Sequence, residues 1–440
     1  MTLTSTTTPA APAPDTATPV TAAPDDSTPA APAPDHSTPV TPAPDDTRPV
    51  APALDSAELA EIISAIAADA RRRRTEAPGE HPHRALDLIR RHRLGAIRIP
   101  KADGGAGYTR REAFTLFIRL AEADPDVPHI LRLHYGFVEE LLARTERPWL
   151  AEILDGKLFG GAAAELGNRA GVYSYDTTLT PDGDVYRLNG RKFYSTGALY
   201  SDYLRLAAND TEGNRVNALI PADRAGISHD DDWDGIGQQH TGSGTTVLTD
   251  VVVHPGELLP FTIPNPDRRN GAQSQLLLHA IAAGILRELT ADAADLVRGR
   301  TRSYSWGNHD DTRHDPQILQ IVGELSSAAF VVEAAVLAAA DALDRADGHL
   351  REHGAASRVR EEEAALQASQ VKVGVEEIAL RAAGAIFGAG GASATRASHH
   401  LDRHWRNLRT LFSHNPTVFK ARVIGDVVVN AGELPAVGYF

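Results

Sequence analysis

The stretch "VYSYDTTLTPDGDVYRLNGRKFYSTG", residues 172–197, decides how the chain is organised. Apolar and polar residues alternate along it, the pattern of a half-buried strand. Asp182-Gly183 and Asn189-Gly190 interrupt the alternation, and such pairs favour hairpin turns because glycine enters left-handed backbone at little cost. Strand-like segments continue with "YLRLAAND", "VNALIPAD" and "GTTVLTDVVVH". A β-domain is therefore expected over about 158–262.

On the N-terminal side the period changes. "LDSAELAEIISAIAADARRRRTEA" places apolar residues at helical spacing from Leu59 to Ala70, with Asp55 as a candidate N-cap. Further helical segments follow, among them "PHILRLHYGFVEELLARTE", so 54–157 reads as a helical domain. Beyond "PNPDRRNGAQ" the helices return as long, Ala-rich segments with apolar stripes, and 263–440 reads as a four-helix bundle. Residues 1–53 differ from all of these. They carry about half of the 28 prolines and a ten-residue repeat beginning at Pro24, a composition expected to form a disordered tail.

Composition narrows the function. The formal net charge of −14 argues against nucleic acid or an anionic membrane as the main partner. With no cysteine, disulfides, thiolate catalysis and Cys-ligated metals are excluded. The single methionine is Met1, so no internal thioether is open to peroxide. No run of 18 or more apolar residues suggests a membrane span, and no secretory signal opens the chain, which implies a cytoplasmic protein.

The order helix, β-domain, helix bundle resembles the acyl-CoA dehydrogenase fold, an α+β architecture, over residues 55–435. Four motifs carry the likeness in order: "LFGGAAAELGNRAG", "YRLNGRKFYSTGA", "GSGTTVLTDVVVHPGELL" and "IFGAGGAS". Within that fold, "FYSTGALYSD" (193–202), "DDWDGIG" (231–237) and "LDRHWRNLRTLFSHNP" (401–416) resemble the flavin-dependent monooxygenases typified by dibenzothiophene monooxygenase. The resemblance implies reduced FMN delivered by a flavin reductase, with FAD possible. It also implies a C4a-hydroperoxyflavin, formed with O2, that oxygenates a small sulfur- or nitrogen-containing or aromatic substrate, and a homotetramer.

The same resemblance assigns site residues. Catalytic roles fall to His414, Thr196, His129 and Tyr194. Flavin contacts fall to Ala163, Ala164, Ser195, Thr196, Trp233, Ser243 and Arg302, and no metal is implied. Each residue type also has an ordinary use: Thr196 for strand propensity, Tyr194 and Trp233 for packing, Arg302 for a basic helix end, and His414 for capping one. His129 and His134 lie five residues apart, about 140° around one helix, so they cannot both face one ligand. Leu133 stands where the family has a pocket tyrosine.

His414 separates the chemistries. Dehydrogenation needs a carboxylate base, and many family members place it in this loop, but no carboxylate lies between Leu411 and Lys420. An imidazole of ordinary pKa would instead exchange protons near neutral pH, as oxygen transfer requires. Two alternatives remain open: an FAD-dependent acyl-CoA dehydrogenase or oxidase, and a non-catalytic flavin-fold scaffold.

Overall fold

The computed structural model describes residues 49–144, 146–167, 175–260 and 271–435. Most of the expected tail lies outside these residues, as do the 168–171 part of the first motif and the first three residues, 172–174, of the opening stretch.

The N-terminal helices are α1 (Ala57–Glu76), α2 (His83–Arg91), α3 (Arg110–Ala123), α4 (Asp126–Ile130), α5 (Arg132–Leu142) and α6 (Leu150–Leu154). The N-cap of α1 is Ser56, whose hydroxyl accepts from the Leu59 amide at 3.2 Å; Asp55 does not cap it. α3 begins with a reciprocal capping box between Thr109 and Glu112. The expected helix through His129 and His134 is two helices that meet at Leu131, so the histidines stand on separate elements.

The folded chain also begins earlier than residue 54. Ala51 is buried in the main core, and the Tyr108 hydroxyl donates to Pro52 O at 2.6 Å.

The strands are β1 (Phe159–Ala162), β2 (Thr178–Asp182), β3 (Val185–Lys192), β4 (Tyr203–Asn209), β5 (Arg215–Pro221), β6 (Ile227–Asp230), β7 (Thr245–Val253) and β8 (Leu258–Pro260). They form one mixed sheet in the order β6-β7-β3-β2-β4-β5-β8, with β1 parallel to β4. Among the described residues this path has β6 and β8 at its two ends.

The two Asx-Gly pairs do different work. Gly183 turns the chain between the paired Asp182 and Val185. Asn189-Gly190 is no turn; it lies inside β3 at a shift of register against β7. A Cβ on Gly190 would come within 2.2 Å of the Thr177 hydroxyl, so only glycine fits that close approach.

The C-terminal helices are α7 (Gly271–Arg298), α8 (Pro316–His353), α9 (Arg358–Gly390), α10 (Asp402–Phe412) and α11 (Thr417–Asn430). α8 is long and apolar enough in composition to cross a membrane, yet its Leu325, Val332 and Val336 pack into the bundle core. That core is shared with α1, α2 and α3, so the two helical regions form one apolar interior. Buried charges cross the same boundary. Arg98 and Arg110 reach Asp347 of α8 at 2.8 and 2.6 Å, and both also pair with Glu139 of α5.

Candidate active site

The β3–β4 connection, the 231–244 loop and the segment after α10 converge where the sheet meets the helices. The loop is tied to α10 by Gln238 N donating to Asn407 Oδ1 at 2.8 Å and Arg406 Nη1 donating to Ile236 O at 3.1 Å. Gly237 lies so close to the α10 backbone that a Cβ would meet Arg406 O at 2.3 Å.

Phe193 to Gly197 do not continue the strand. β3 ends at Lys192, and Tyr194 adopts left-handed backbone with φ 56°. Tyr194 and Thr196 therefore do not share a strand face: the tyrosine is 61% exposed while Ser195 and Thr196 are buried. Three backbone bonds fix the turn, from Phe193 N to Ala164 O, Ser195 N to Gly244 O, and Gly197 N to Thr241 O. Below it, Lys192 is fully buried with Nζ 2.5 Å from Glu165 Oε1, and the same carboxylate oxygen accepts from Thr177 Oγ1 at 2.6 Å. Glu165 carries no local sign of this role in the sequence.

From the turn a line of polar groups runs inward. Thr196 Oγ1 lies 2.8 Å from Ser243 Oγ, which lies 2.7 Å from Thr241 Oγ1, and Thr241 donates to Gln238 O at 2.8 Å. The Gln238 side chain, 2.8 Å from His129 Nδ1, joins the line to α4. Gln238 is itself buried, with φ 54°, unusual for a residue other than glycine. Trp233 packs its ring over Gly235, donates to Gly237 O at 3.3 Å, and stands edge-on to Tyr194 at 6.0 Å.

His414 follows α10 and meets Arg132 of α5, with Arg132 Nη2 3.3 Å from His414 Nε2. The residue is exposed at the surface. Desolvation, then the charges of Arg132, His129 and Lys372, holds its pKa well below the ordinary histidine value. That direction runs against the expectation of an ordinary titration there. His129 is pushed down to about 4, by burial first and by Arg132 second. His134 plays a structural part: its Nε2 lies 3.0 Å from Gly95 O, and its Nδ1 accepts from Phe159 N.

Asn415 Nδ2 donates to Gln275 Oε1 on α7 at 2.7 Å. Several buried polar atoms here have no partner among the described residues: Ser195 Oγ, Gln238 Nε2, Gln273 Oε1 and Asn415 Oδ1. Buried polar groups rarely stay unsatisfied, so these fit a polar ligand bound among them. Sequence reading passed over Gln238, Arg132, Gln275 and Gln273.

Arg302 does not join this cluster. It follows α7 by four residues, and about 35 Å of helix separates Gln275 from Arg298. The 386–393 glycine turn shares that far end, where Arg300 donates to Ala389 O at 2.9 Å.

Comparison with known proteins gives one pattern. Residues 276–419 match the family model "Acyl-CoA dehydrogenase, C-terminal domain". A probable FMNH2-dependent monooxygenase of Pseudomonas putida is 29% identical over 363 residues, covering 80% of this chain and 89% of that protein. A dibenzothiophene monooxygenase of Mycolicibacterium goodii is 29% identical over 376 residues, with 81% and 89% covered. Among solved structures, FMN-bound TdsC from Paenibacillus sp. A11-2 superposes with a TM-score of 0.78 at 26% identity, covering 87% of this chain and 98% of that one. The methanesulfinate monooxygenase MsuC from Pseudomonas fluorescens gives 0.78 at 27%, with the same coverage. The chain thus has the acyl-CoA dehydrogenase fold and is similar along most of its length to flavin-dependent monooxygenases built on it.

Proposed function

We propose that the chain is the oxygenase component of a two-component system. It takes reduced FMN from a separate flavin reductase, uses O2, and oxygenates a small sulfur- or nitrogen-containing or aromatic substrate. The choice of FMN over FAD follows the FMNH2-dependent and FMN-bound relatives. Reduced FMN would supply the electrons and, at C4a, the carbon that activates oxygen.

The observation that carries this reading is the direction of the hydroxyl line. Thr241 gives its one proton to Gln238 O, so Ser243 must donate to Thr241 and Thr196 must donate to Ser243. Thr196 is left with only acceptor capacity, which suits an N–H donor such as reduced flavin carries at N5. Ser195 Oγ and Gln238 Nε2 would serve the other polar edges of the ring, with Trp233 and Tyr194 as its aromatic neighbours and the 163–164 backbone beside it. His414, kept neutral, would serve the reacting end as a hydrogen-bonding group that carries no charge of its own.

A dehydrogenase reading finds no carboxylate base between Leu411 and Lys420. Glu376 is the carboxylate of α9 nearest the 413–417 segment, and it is bound by Arg409 at 2.9 Å and by the Thr417 hydroxyl. Assembly as a homotetramer is part of the proposal. Exposed Leu319 and Phe330 on α8, and Val418, Phe419, Val428 and Val429 on α11, support self-association. Arg302 would then act at a neighbour's site, and the cytoplasm would supply the reductase.

The test is anaerobic loading with reduced FMN, then stopped-flow mixing with oxygenated buffer. A transient near-ultraviolet band before oxidised flavin supports the reading; direct appearance of oxidised flavin, with flavin bound throughout, refutes it.

A further inference from the structure

Three restraints meet at one residue of the 231–244 loop. Gln238 N donates to Asn407 Oδ1 of α10 at 2.8 Å, Gln238 O accepts from the Thr241 hydroxyl at 2.8 Å, and Gln238 Oε1 lies 2.8 Å from His129 Nδ1 on α4. The residue is buried, and its φ of 54° is one that a side chain with a Cβ normally avoids. Left to itself, such a residue relaxes to negative φ, so its neighbours must hold it.

The hold on the backbone comes from α10. Arg406, whose Nε is fixed by Asp402 at 2.9 Å, reaches Ile236 O, and the next residue, Asn407, takes the Gln238 N–H. Gly237 between them lies against the helix backbone. Asn407 is half-buried and lines a cavity of about 420 Å³ together with Arg403 and Arg406. Its amide oxygen is therefore a fixed acceptor, presented by a rigid helix to the loop at its strained residue.

Held this way, Gln238 O takes the one hydroxyl proton of Thr241, and the line through Ser243 ends with Thr196 as an acceptor. If Gln238 relaxes, its carbonyl turns away and the Thr241 proton is free for Ser243, 2.7 Å distant. The line can then run in reverse, with Thr196 presenting a proton instead. The same relaxation withdraws the amide oxygen from His129, whose neutral ring gives its Nδ1 proton there and keeps Nε2 as an acceptor.

Resting on the monooxygenase reading, we propose that Asn407 is a positioning residue: through the Gln238 backbone it sets the direction of the hydroxyl line and so makes Thr196 an acceptor matched to reduced FMN. Reduced flavin carries a proton at N5 and oxidised flavin does not. The anchor on α10 thereby selects the redox state of the flavin, acting through Gln238 and not by a contact of its own.

The test is a pair of dissociation constants on the full-length enzyme: oxidised FMN by quenching of its fluorescence, reduced FMN by anaerobic titration. The parent should bind reduced FMN the more tightly. Asn407→Leu, close in shape but without an acceptor, should lose about fivefold of that ratio, the scale of one hydrogen bond and about 20 mV for a two-electron couple. Asn407→Asp keeps an acceptor oxygen on the cavity wall that Arg403 and Arg406 share, and should keep the ratio. Equal binding of the two flavins by the parent, an unchanged ratio in Asn407→Leu, or an equal loss in both variants overturns the proposal. Thr241→Val decides the matter if the leucine variant misfolds: it removes the proton given to Gln238 O and should lower the ratio by a similar factor, and an unchanged ratio there also overturns the proposal. A transient near-ultraviolet band on mixing with oxygen, with a ratio insensitive to residue 407, would sink this inference while leaving the monooxygenase reading standing. The expected ratios with no such band would do the reverse.

Discussion

Arg132 and His414 share one hydrogen bond, 3.3 Å from Nη2 to Nε2. A guanidinium can only donate, so the imidazole accepts there and the neutral ring carries its proton on Nδ1. Its protonation is opposed by the protein atoms that displace water from the ring and by the cation beside it.

The first prediction concerns that pairing. His414→Ala should bind FMN as the parent does while oxygen transfer falls by roughly 10²–10⁴, the range for loss of a positioned proton-handling group. Arg132→Leu should raise the His414 pKa, so the acid limb of the rate profile should move to higher pH than in the parent. Product formation against pH measures both; an identical profile in the two enzymes would contradict the assignment.

Thr196→Val keeps the shape of the side chain and removes the acceptor at the end of the hydroxyl line. Reduced FMN should still bind, but consumed oxygen should be diverted from product to hydrogen peroxide. The ratio of product to oxygen consumed is the measurement, and full coupling in the variant would show that the hydroxyl is not needed.

Stability should fall as the medium is acidified from neutral. His129 and His134 are drawn down to about 4 in the folded chain by burial. Between about 6.5 and 4 the unfolded chain therefore binds protons that the folded chain does not, and stability falls with pH across that window. Each contributes roughly 3 kcal/mol at its lower end. His279 and His414 act in the same direction. His240 opposes them: Asp126 raises its pKa, so its contribution is present below the unfolded value and lost as pH rises through the folded one. Urea midpoints from pH 7.5 to 5 test the balance, and a midpoint that rises on acidification would contradict it.

Glu165→Gln leaves the Lys192 ammonium buried without its carboxylate. A loss of about 3–5 kcal/mol is expected, the usual cost of breaking a buried pair from one side. The double variant Glu165→Gln, Lys192→Met should recover much of it in chemical denaturation.

Truncation at the N-terminus should have a sharp limit. A chain starting at residue 54 should melt below one starting at 49, because it lacks Ala51 in the core and the acceptor Pro52 O beneath Tyr108. Equal melting temperatures would show that those contacts contribute nothing.

The succession of helix, sheet and helix is legible because hydrophobic period is a local property. The finer errors share a cause. Asn189-Gly190 looks like a hairpin turn until Thr177 is brought against it, and 193–197 looks like strand until Gly244 and Thr241 hold its backbone in a turn. His414, Thr196, Trp233 and Ser243 could be named because they sit in recognisable motifs. Gln238 and Gln275 could not, because a polar residue within a loop or helix has no local signature. Their environment comes from chain segments more than a hundred residues away.

Asp347 of α8 accepts from Arg98 and Arg110, both from the N-terminal third of the chain. Expressed alone, the bundle that matches the family model would keep this carboxylate but lose both guanidinium groups and the apolar wall of α3. It would be expected to aggregate or melt without a cooperative transition. The C-terminal bundle is thus inseparable from the helices that precede the sheet, and any split of the gene at the sheet boundaries should cost solubility before it costs chemistry.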